Sequence, residues 1–166
     1  MKIAESFLEQ AEKLSTSDPR RPKQVNLRRA VSAAYYGLFH LLTWEAAMGL
    51  VGDERIAKIL MRTYEHSEIK RVSREFSKGR APSSIDSIEM PEELRSVAAA
   101  VVSLQEERHR SDYDLSIVYR RREVIEQVSK ARKAFEDWKK VRNREAARVY
   151  LACFLLWDRW EKARRG

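Results

Sequence analysis

The longest stretch of helical periodicity in this chain runs from about Lys23 to Leu50. Apolar side chains recur there every three or four positions, a spacing that places them on one side of an α-helix. Gly49 and Gly52 then supply a stop. Because so broad an apolar face has to be covered by other helices, the stretch predicts the central helix of a bundle. The residues of that face are Leu27, Ala30, Val31, Ala34, Tyr35, Leu38, Leu41 and Leu42.

Six further segments show the same helical spacing, separated by turn-forming or capping residues. Asp53 is the expected N-cap of the third helix, and Pro91 suits the first turn of the fifth. Residues 78–90 have no periodic apolar face and predict a mobile surface loop, and a break is expected over Ser111–Ser116. The apolar residues of these segments lie between Ile3 and Leu14, Ile56 and Leu60, Ile69 and Phe76, Leu94 and Leu104, Val124 and Trp138, and Val149 and Trp160.

The composition agrees with a helical fold. Five glycines and four prolines among 166 residues are too few for a fold with many tight turns. The length supports one domain with a substantial core. We therefore predict an all-α protein, an antiparallel up-and-down bundle of about five to seven helices. Residues 1–138 are expected to form the bundle, and residues 139–166 a basic, tryptophan-rich C-terminal helix packed on the bundle or at a dimer interface.

The longest apolar run of the chain is Tyr150 to Trp157. It is far shorter than the roughly 20 residues that a membrane helix needs, so we expect no membrane association. Its side chains are apolar on all sides of the helix, whereas a surface helix is apolar on one side only. The helix either lies in a groove of its own bundle or presents one face to another subunit. We expect a role in self-association, since exposed apolar patches mark interfaces.

The cysteine and histidine pattern does not predict a metal site. The single cysteine, Cys153, excludes an internal disulfide and fits a reducing, cytoplasmic location. The three histidines, His40, His66 and His109, lack the spacing of metal ligands. The N-terminus becomes acidic at Glu5 without a long apolar segment, so it does not resemble a signal peptide. We expect no metal and no cofactor.

The net charge of +8 is concentrated at one end of the chain. Basic and acidic residues are equal in number over residues 1–119, so the whole excess lies in residues 120–166. Such a segment suits a polyanion such as RNA, bound with an affinity that falls steeply as the salt concentration rises. A solvated helix face with excess lysine and arginine is the other interpretation that the pattern leaves open.

Two polar clusters interrupt the apolar pattern. The first lies on the central helix among small alanines and consists of Arg28, Arg29, Tyr35, Tyr36 and His40. The second is the run Glu107–Asp114, which is dense in ionisable groups. Packing alone does not require so many charges at these positions. We expect the two clusters to converge within the bundle.

The aromatic residues of the first cluster also have an ordinary structural role. Tyr35, Tyr36 and Phe39 at helical spacing are more often core and rim residues than platforms for nucleobase stacking. His40 and His66 are individually expected to be hydrogen-bonded structural histidines. The first cluster is therefore open to both interpretations.

The aspartates of the second cluster have a structural explanation too. Asp112 and Asp114 are placed to cap the following helix and to pair with Arg108 or Arg29. A desolvated arginine needs such a partner. The cluster therefore predicts either a binding site or a turn that its own ion pairs hold together.

The order and spacing of these motifs resemble the HEPN domain (higher eukaryotes and prokaryotes nucleotide-binding). The matching residues are Leu27–His40, then His66, then Arg108–Asp114. The last motif is similar to that of small bacterial and archaeal HEPN proteins, in which an arginine precedes Asp-Tyr-Asp by a few residues. The resemblance covers roughly residues 1–138.

This resemblance implies an up-and-down helical bundle that is often a homodimer. Some HEPN proteins are metal-independent RNases that act as toxins or in defence, and others are noncatalytic partners of minimal nucleotidyltransferases. The expected partners are therefore a second copy of the chain, RNA or a nucleotide, and a nucleotidyltransferase protein. Such a protein could use the Tyr113 hydroxyl as an acceptor for nucleotide transfer.

The nuclease members carry a histidine a few residues after the arginine and its polar neighbour. Arg108 and His109 match the first two positions, but Arg110–Ser116 contains no histidine. A carboxylate beside an arginine stays ionised and donates protons poorly, whereas histidine exchanges protons near neutral pH.

We therefore favour a noncatalytic module, part of a toxin-antitoxin or defence system, that binds a nucleotide, RNA or a partner protein. The alternative is a metal-independent RNase toxin in which Arg108 and His109 are catalytic. The predicted ligand-binding residues are Arg29, Tyr36, His40, Arg108, Arg110, Asp112 and Tyr113.

Overall fold

The structure is a computed structural model that describes residues 2–18, 20–85 and 88–163. All regular structure in these residues is helical, so the predicted all-α helical bundle is confirmed, with a helix number inside the expected range. The helices are α1 (Lys2–Thr16), α2 (Gln24–Val51), α3 (Glu54–Leu60), α4 (His66–Ser77), α5 (Glu92–Tyr113), α6 (Arg121–Val141) and α7 (Glu145–Ala163), and a 3₁₀ turn spans Met61–Thr63.

Local sequence signals explain several of the helix ends. The Asp53 carboxylate accepts a hydrogen bond from the Ile56 amide at 2.9 Å and caps α3, as predicted. Gly52 follows α2 with φ of 65°, a left-handed conformation that favours glycine. At the start of α6, the Glu123 carboxylate accepts from the Arg120 amide at 3.0 Å. These ends are determined by residues within one turn of each boundary.

Helix α5 continues further than its apolar pattern suggests. The predicted break over Ser111–Ser116 is wrong for its first half, because the helix runs on to Tyr113. Arg108 and Asp112, four residues apart on one side of the helix, form an ion pair that supports this last turn. The second polar cluster therefore lies mostly on a helix rather than in a turn.

The predicted loop after α4 has no helix or strand over its described residues. Asp86 and Ser87 of that loop lie outside the described residues. So do Pro19, expected at the end of α1, and two arginines of the basic C-terminal segment, Arg164 and Arg165.

The chain forms two compact units. The first unit combines residues 1–41 with residues 100–136, and the second combines residues 42–99 with residues 137–166. Helix α7, which the sequence sets apart within residues 139–166, belongs to the second unit. The predicted domain boundary after Trp138 stays a prediction.

A close approach of α1 to α2 shapes the first unit. A Cβ atom at Gly37 would lie 3.2 Å from the Ala4 carbonyl oxygen and 3.4 Å from the Leu8 amide nitrogen. Both Ala4 and Leu8 are buried, so α1 packs directly over the glycine. Since Phe7 precedes Leu8, this approach also brings its ring against α2, where the candidate site lies.

Aromatic side chains form much of the core of the second unit. The ring of Phe76 on α4 lies 4.9 Å from that of Tyr150 on α7, and Tyr150 lies 4.9 Å from Phe154. The hydroxyls of Tyr150 and Ser73 share a hydrogen bond of 2.6 Å. Burial raises the pKa of Tyr150, so this hydroxyl stays neutral. The α4–α7 contact is thus largely apolar, with the hydroxyls of Tyr150 and Ser73 paired inside it.

Candidate functional site

A cleft of about 430 Å³ opens between α1 and α2 within the first unit, and we call it the first-unit cleft. Its α2 residues recur at helical spacing, so one face of α2 forms one wall and α1 forms the other. Three predicted ligand-binding residues, Arg29, Tyr36 and His40, line it together. The full lining is Phe7, Gln10, Leu14, Arg29, Ser32, Ala33, Tyr36 and His40.

Three rings form the aromatic side of this cleft. Phe7 stacks on His40 with 5.2 Å between ring centroids and lies 5.9 Å from Tyr36. Tyr36 and His40, one turn apart on α2, are 6.2 Å apart. Flat faces of this kind suit an aromatic ligand ring such as a nucleobase. The sequence pattern identified Tyr36 and His40 but missed Phe7, whose helical spacing is that of an ordinary core residue.

Arg108 reaches the cleft wall from α5 and is held there by several partners. Its guanidinium donates to the Tyr36 hydroxyl at 2.6 Å and lies 5.3 Å from the centre of the Tyr36 ring. Its Nε atom is 2.8 Å from an oxygen of Asp112. Burial lowers the pKa of Arg108, but the oxygens of Tyr36 and Asp112 outweigh burial and raise it overall. Arg108 is therefore a permanent cation held in one orientation.

Asp112 is held on its other side by serines. Its second carboxylate oxygen accepts a hydrogen bond from the Ser32 hydroxyl, and Ser32 lies 3.3 Å from the buried Ser111 hydroxyl. The carboxylate thus bridges α5 and α2 while neutralising Arg108. Ser32 lines the cleft and is not among the ligand-binding residues predicted from the sequence. Its position between Arg29 and Tyr36 on the same helix face was the available signal.

Arg29 is the cation that lines this cleft. Its side chain is exposed and forms no hydrogen bond or ion pair among the described residues. Asp112, the partner that the sequence offered as one option, pairs with Arg108 instead. An exposed guanidinium in a cleft that also contains aromatic rings is suited to bind a phosphate or carboxylate.

His40 is a neutral group at the end of the cleft. Burial lowers the pKa of His40, because a charged imidazole loses hydration against the surrounding rings. Its Nδ1 atom is buried and has no hydrogen-bond partner in the described part of the chain. The expected structural hydrogen bond is therefore missing at this atom, and ring stacking holds His40 instead.

The remaining predicted residues lie on the exposed side of α5. Arg110 pairs with Glu107 at 2.7 Å. His109 is exposed, with its ring 4.9 Å from that of Tyr113, and neither lines the cleft. The Tyr113 ring also lies 5.9 Å from the Arg108 guanidinium, so Arg108 separates the cleft from this outer group. The structure therefore does not place His109 with Arg29 and His40.

Arg28, next to Arg29, has a structural role. It donates to the carbonyl oxygens of Ser111 at 2.7 Å and Asp114 at 3.0 Å, and also to that of Ile117. One side chain thereby holds the whole segment that follows α5. The convergence that the sequence predicted for the two polar clusters is thus found between α2 and α5.

Asp114 does not cap the following helix, contrary to one of the two roles proposed for it. It accepts hydrogen bonds from the amide and hydroxyl of Ser116, and these bonds lower the pKa of Asp114. Glu123 supplies the cap of α6 instead. The turn is held by its own side chains and by Arg28.

The described residues give no support to metal binding, to a reactive thiol or to a membrane-spanning helix. No group of three or more His, Cys, Asp or Glu side chains among them is arranged to hold a metal ion. Burial raises the pKa of the Cys153 thiol to about 12, which makes it a poor nucleophile. None of the helices in the described ranges combines the length and apolar character needed to cross a membrane.

The fold and the site together define an all-α protein with a cleft lined by one arginine and by aromatic rings. Comparison with family models, with curated proteins and with solved structures finds no match to the chain.

Proposed function

We propose that the protein is a noncatalytic binding module of the HEPN type, and that its first-unit cleft holds the phosphate and base of a nucleotide or of an RNA end. The observation that carries this proposal is that Arg29, which has no ion-pair partner among the described residues, lines the same cleft as the rings of Tyr36 and His40. The resemblance of the two sequence motifs to HEPN proteins supports the same class of ligand.

The charges of the cleft favour an anionic ligand. Arg108 is already balanced by Asp112, so Arg29 carries the excess positive charge. His40 adds no charge near neutral pH because its pKa is lowered. A phosphate bound to Arg29 would lie in the same cleft as the Tyr36 ring, which offers a nucleobase a face to stack on. The ligand would then be held by one ion pair and by stacking.

The arrangement gives less support to the RNase alternative. His109 is exposed and lies beside Tyr113 on the outer side of α5, while Arg108 is turned towards Tyr36 and Asp112. A general base has to be within reach of the proton that it removes while the arginine stabilises the phosphorane. We therefore propose binding rather than cleavage.

A nucleotidyltransferase partner within a toxin-antitoxin or defence system is part of the same proposal, and it rests on the resemblance. Tyr113 is 66% exposed, so its hydroxyl is accessible to an enzyme that transfers nucleotides.

The test is calorimetric titration of the purified chain with a nucleoside monophosphate and with a short single-stranded RNA. We expect Arg29→Ala to weaken nucleotide binding roughly 10- to 100-fold, because it removes a charge-assisted hydrogen bond. The matched control is Arg55→Ala, which removes an exposed arginine of the second unit and should leave binding unchanged. Equal affinities for wild type and Arg29→Ala would contradict the proposal.

The RNA is analysed for cleavage in the same samples, with a chelator present. Intact RNA is expected. Cleavage that disappears in both Arg108→Ala and His109→Ala would replace the binding proposal with the RNase alternative.

A further inference from the structure

Helix α7 buries one of its faces in the second unit. The buried residues are Ala146, Ala147, Tyr150, Cys153 and Phe154. The run from Tyr150 to Trp157 is apolar on every side, so this burial leaves some of its apolar side chains uncovered. Leu155 is 40% exposed, and Leu156 is half-buried.

The exposed face of α7 carries a regular stripe. Glu145, Arg148, Ala152, Leu155 and Arg159 follow one another at alternating steps of three and four residues, the spacing of a helix-packing seam. We call these five residues the α7 stripe. Its centre is small and apolar, and its two ends are charged. Such a stripe is suited to pack against another helix.

An apolar groove of about 240 Å³ runs beside the stripe, within the second unit. Ala152 and Leu155 line it from α7, and Gly49 and Leu50 line it from the end of α2. Leu50 is 65% exposed, so the apolar surface extends past the groove. Burying these side chains against a partner would be favourable.

The charged residues of the stripe have no ion-pair partner in the part of the chain that the structure describes. Glu145, Arg148 and Arg159 are exposed and form no ion pair among the described residues. Glu145 precedes Ala152 by seven residues and Arg159 follows it by seven, so the acid and the base are equally far from the centre on opposite sides. When two copies of the stripe run antiparallel, the acidic residue of each therefore lies opposite the basic residue of the other.

We propose that a second copy of the chain covers this surface, with the two α7 helices packed antiparallel around a twofold axis at Ala152. In this register Glu145 of each copy faces Arg159 of the other, which makes two symmetric ion pairs. Alanine at the axis lets the helices approach to about 8–10 Å. Arg148 of one copy lies over Leu156 of the other, where its aliphatic stem covers the leucine.

The alternative arrangements fit the charges less well. Parallel packing of the same helices would bring Glu145 against Glu145 and Arg159 against Arg159, which is unfavourable. The interface involves no residue of the first-unit cleft, so it stands independently of the proposed ligand. It also gives the all-round apolar character of Tyr150–Trp157 a physical cause.

The first experiment is sedimentation velocity of the full chain over a range of concentrations. The wild type is expected to be a dimer, and Leu155→Asp, which places a charge beside the axis, is expected to be a folded monomer. Leu115→Asp is the matched control, because Leu115 is an exposed leucine of the first unit. It should leave the dimer intact. A wild type that stays monomeric, or a Leu155→Asp variant as dimeric as the control, would overturn the proposal.

A charge-reversal experiment tests the antiparallel register. Glu145→Arg and Arg159→Glu should each weaken the dimer on the order of tenfold, because each converts both ion pairs into repulsive contacts. An equimolar mixture of the two variants should form a heterodimer of wild-type strength, since both pairs are then attractive again. Far-ultraviolet circular dichroism verifies that both variants stay helical. If the mixture associates no better than either variant alone, the antiparallel register is wrong.

Discussion

The two units of this chain use different chemistry around their key side chains. In the second unit, the rings of Phe76, Tyr150 and Phe154 pack against one another, and a bond between two neutral hydroxyls satisfies Tyr150. In the first unit, the guanidinium groups of Arg28 and Arg108 reach from helix to helix through charged hydrogen bonds.

This difference separates stability from binding. Aromatic packing does not depend on exact hydrogen-bond geometry, and it stabilises the fold mainly by removing apolar surface from water. Charged hydrogen bonds are directional, so they hold neighbouring groups in defined positions. In the first unit they hold Tyr36 in place and leave Arg29 available, which is what a binding cleft requires.

The largest effect is expected in the aromatic core. Phe76→Ala removes a fully buried ring that contacts Tyr150, and it should lower the free energy of unfolding by about 3–5 kcal/mol. The measurement is urea denaturation followed by circular dichroism. The comparison between the units predicts that nucleotide binding by the fraction that remains folded is unchanged. A loss below about 1 kcal/mol would show that this core is not what stabilises the second unit.

An intermediate effect is expected for the clamp on the segment after α5. Arg28→Ala should lower the free energy of unfolding by about 1.5–3 kcal/mol, because charged hydrogen bonds to the carbonyls of Ser111, Asp114 and Ile117 are lost. Arg28→Lys should recover little of this, since an ammonium group lacks the planar fork of a guanidinium.

The adjacent arginine gives a matched control for this clamp. Arg29→Ala should change the free energy of unfolding by less than about 0.5 kcal/mol, because its side chain is exposed and forms no ion pair or hydrogen bond among the described residues. Arg28→Ala should also speed amide hydrogen exchange in residues 114–120, and Arg29→Ala should not. Equal effects of the two substitutions would remove the distinction between a structural and a binding arginine.

The smallest effect is a dependence of stability on pH. Because the pKa of His40 is lowered in the folded chain, the unfolded chain takes up the proton more readily. The stabilising contribution is fully present above the ordinary pKa of about 6.5, and it is lost as the pH falls through the lower folded value. His40→Phe keeps a ring against Phe7 and removes the titration. The free energy of unfolding, measured by denaturation at several pH values, should therefore decrease less between pH 7 and pH 5 for this variant than for the wild type. An equal decrease in the two proteins would exclude His40 as the cause.

Helix positions were predictable because their signals act over a few residues. The Asp53 cap and the apolar spacing of α2, α4 and α7 depend on neighbours within about one turn. The end of α5 was not predictable from that spacing. The Arg108–Asp112 ion pair supports this helix beyond the end of its apolar stripe. Hydrophobic periodicity gives no information about ion pairs.

The members of the candidate site were partly predictable. Arg29, Tyr36 and His40 share one face of α2, and a helical projection brings them together. Phe7 could not be assigned to the same site, because nothing in the sequence of α1 shows which part of α2 it approaches. The close contact at Gly37 decides that position.

The sequence by itself determined the all-α class, most helix limits and the residues of each buried face, because these follow from the periodicity and capping of a helix. Only the tertiary structure decided which charged side chains form hydrogen bonds or ion pairs with other parts of the chain and which are exposed to a ligand. Arg28 and Arg29 are adjacent in the sequence, yet carbonyl groups more than 80 residues away engage the first and leave the second exposed. Partner choice at that separation depends on the packing of α5 against α2, which local sequence does not specify.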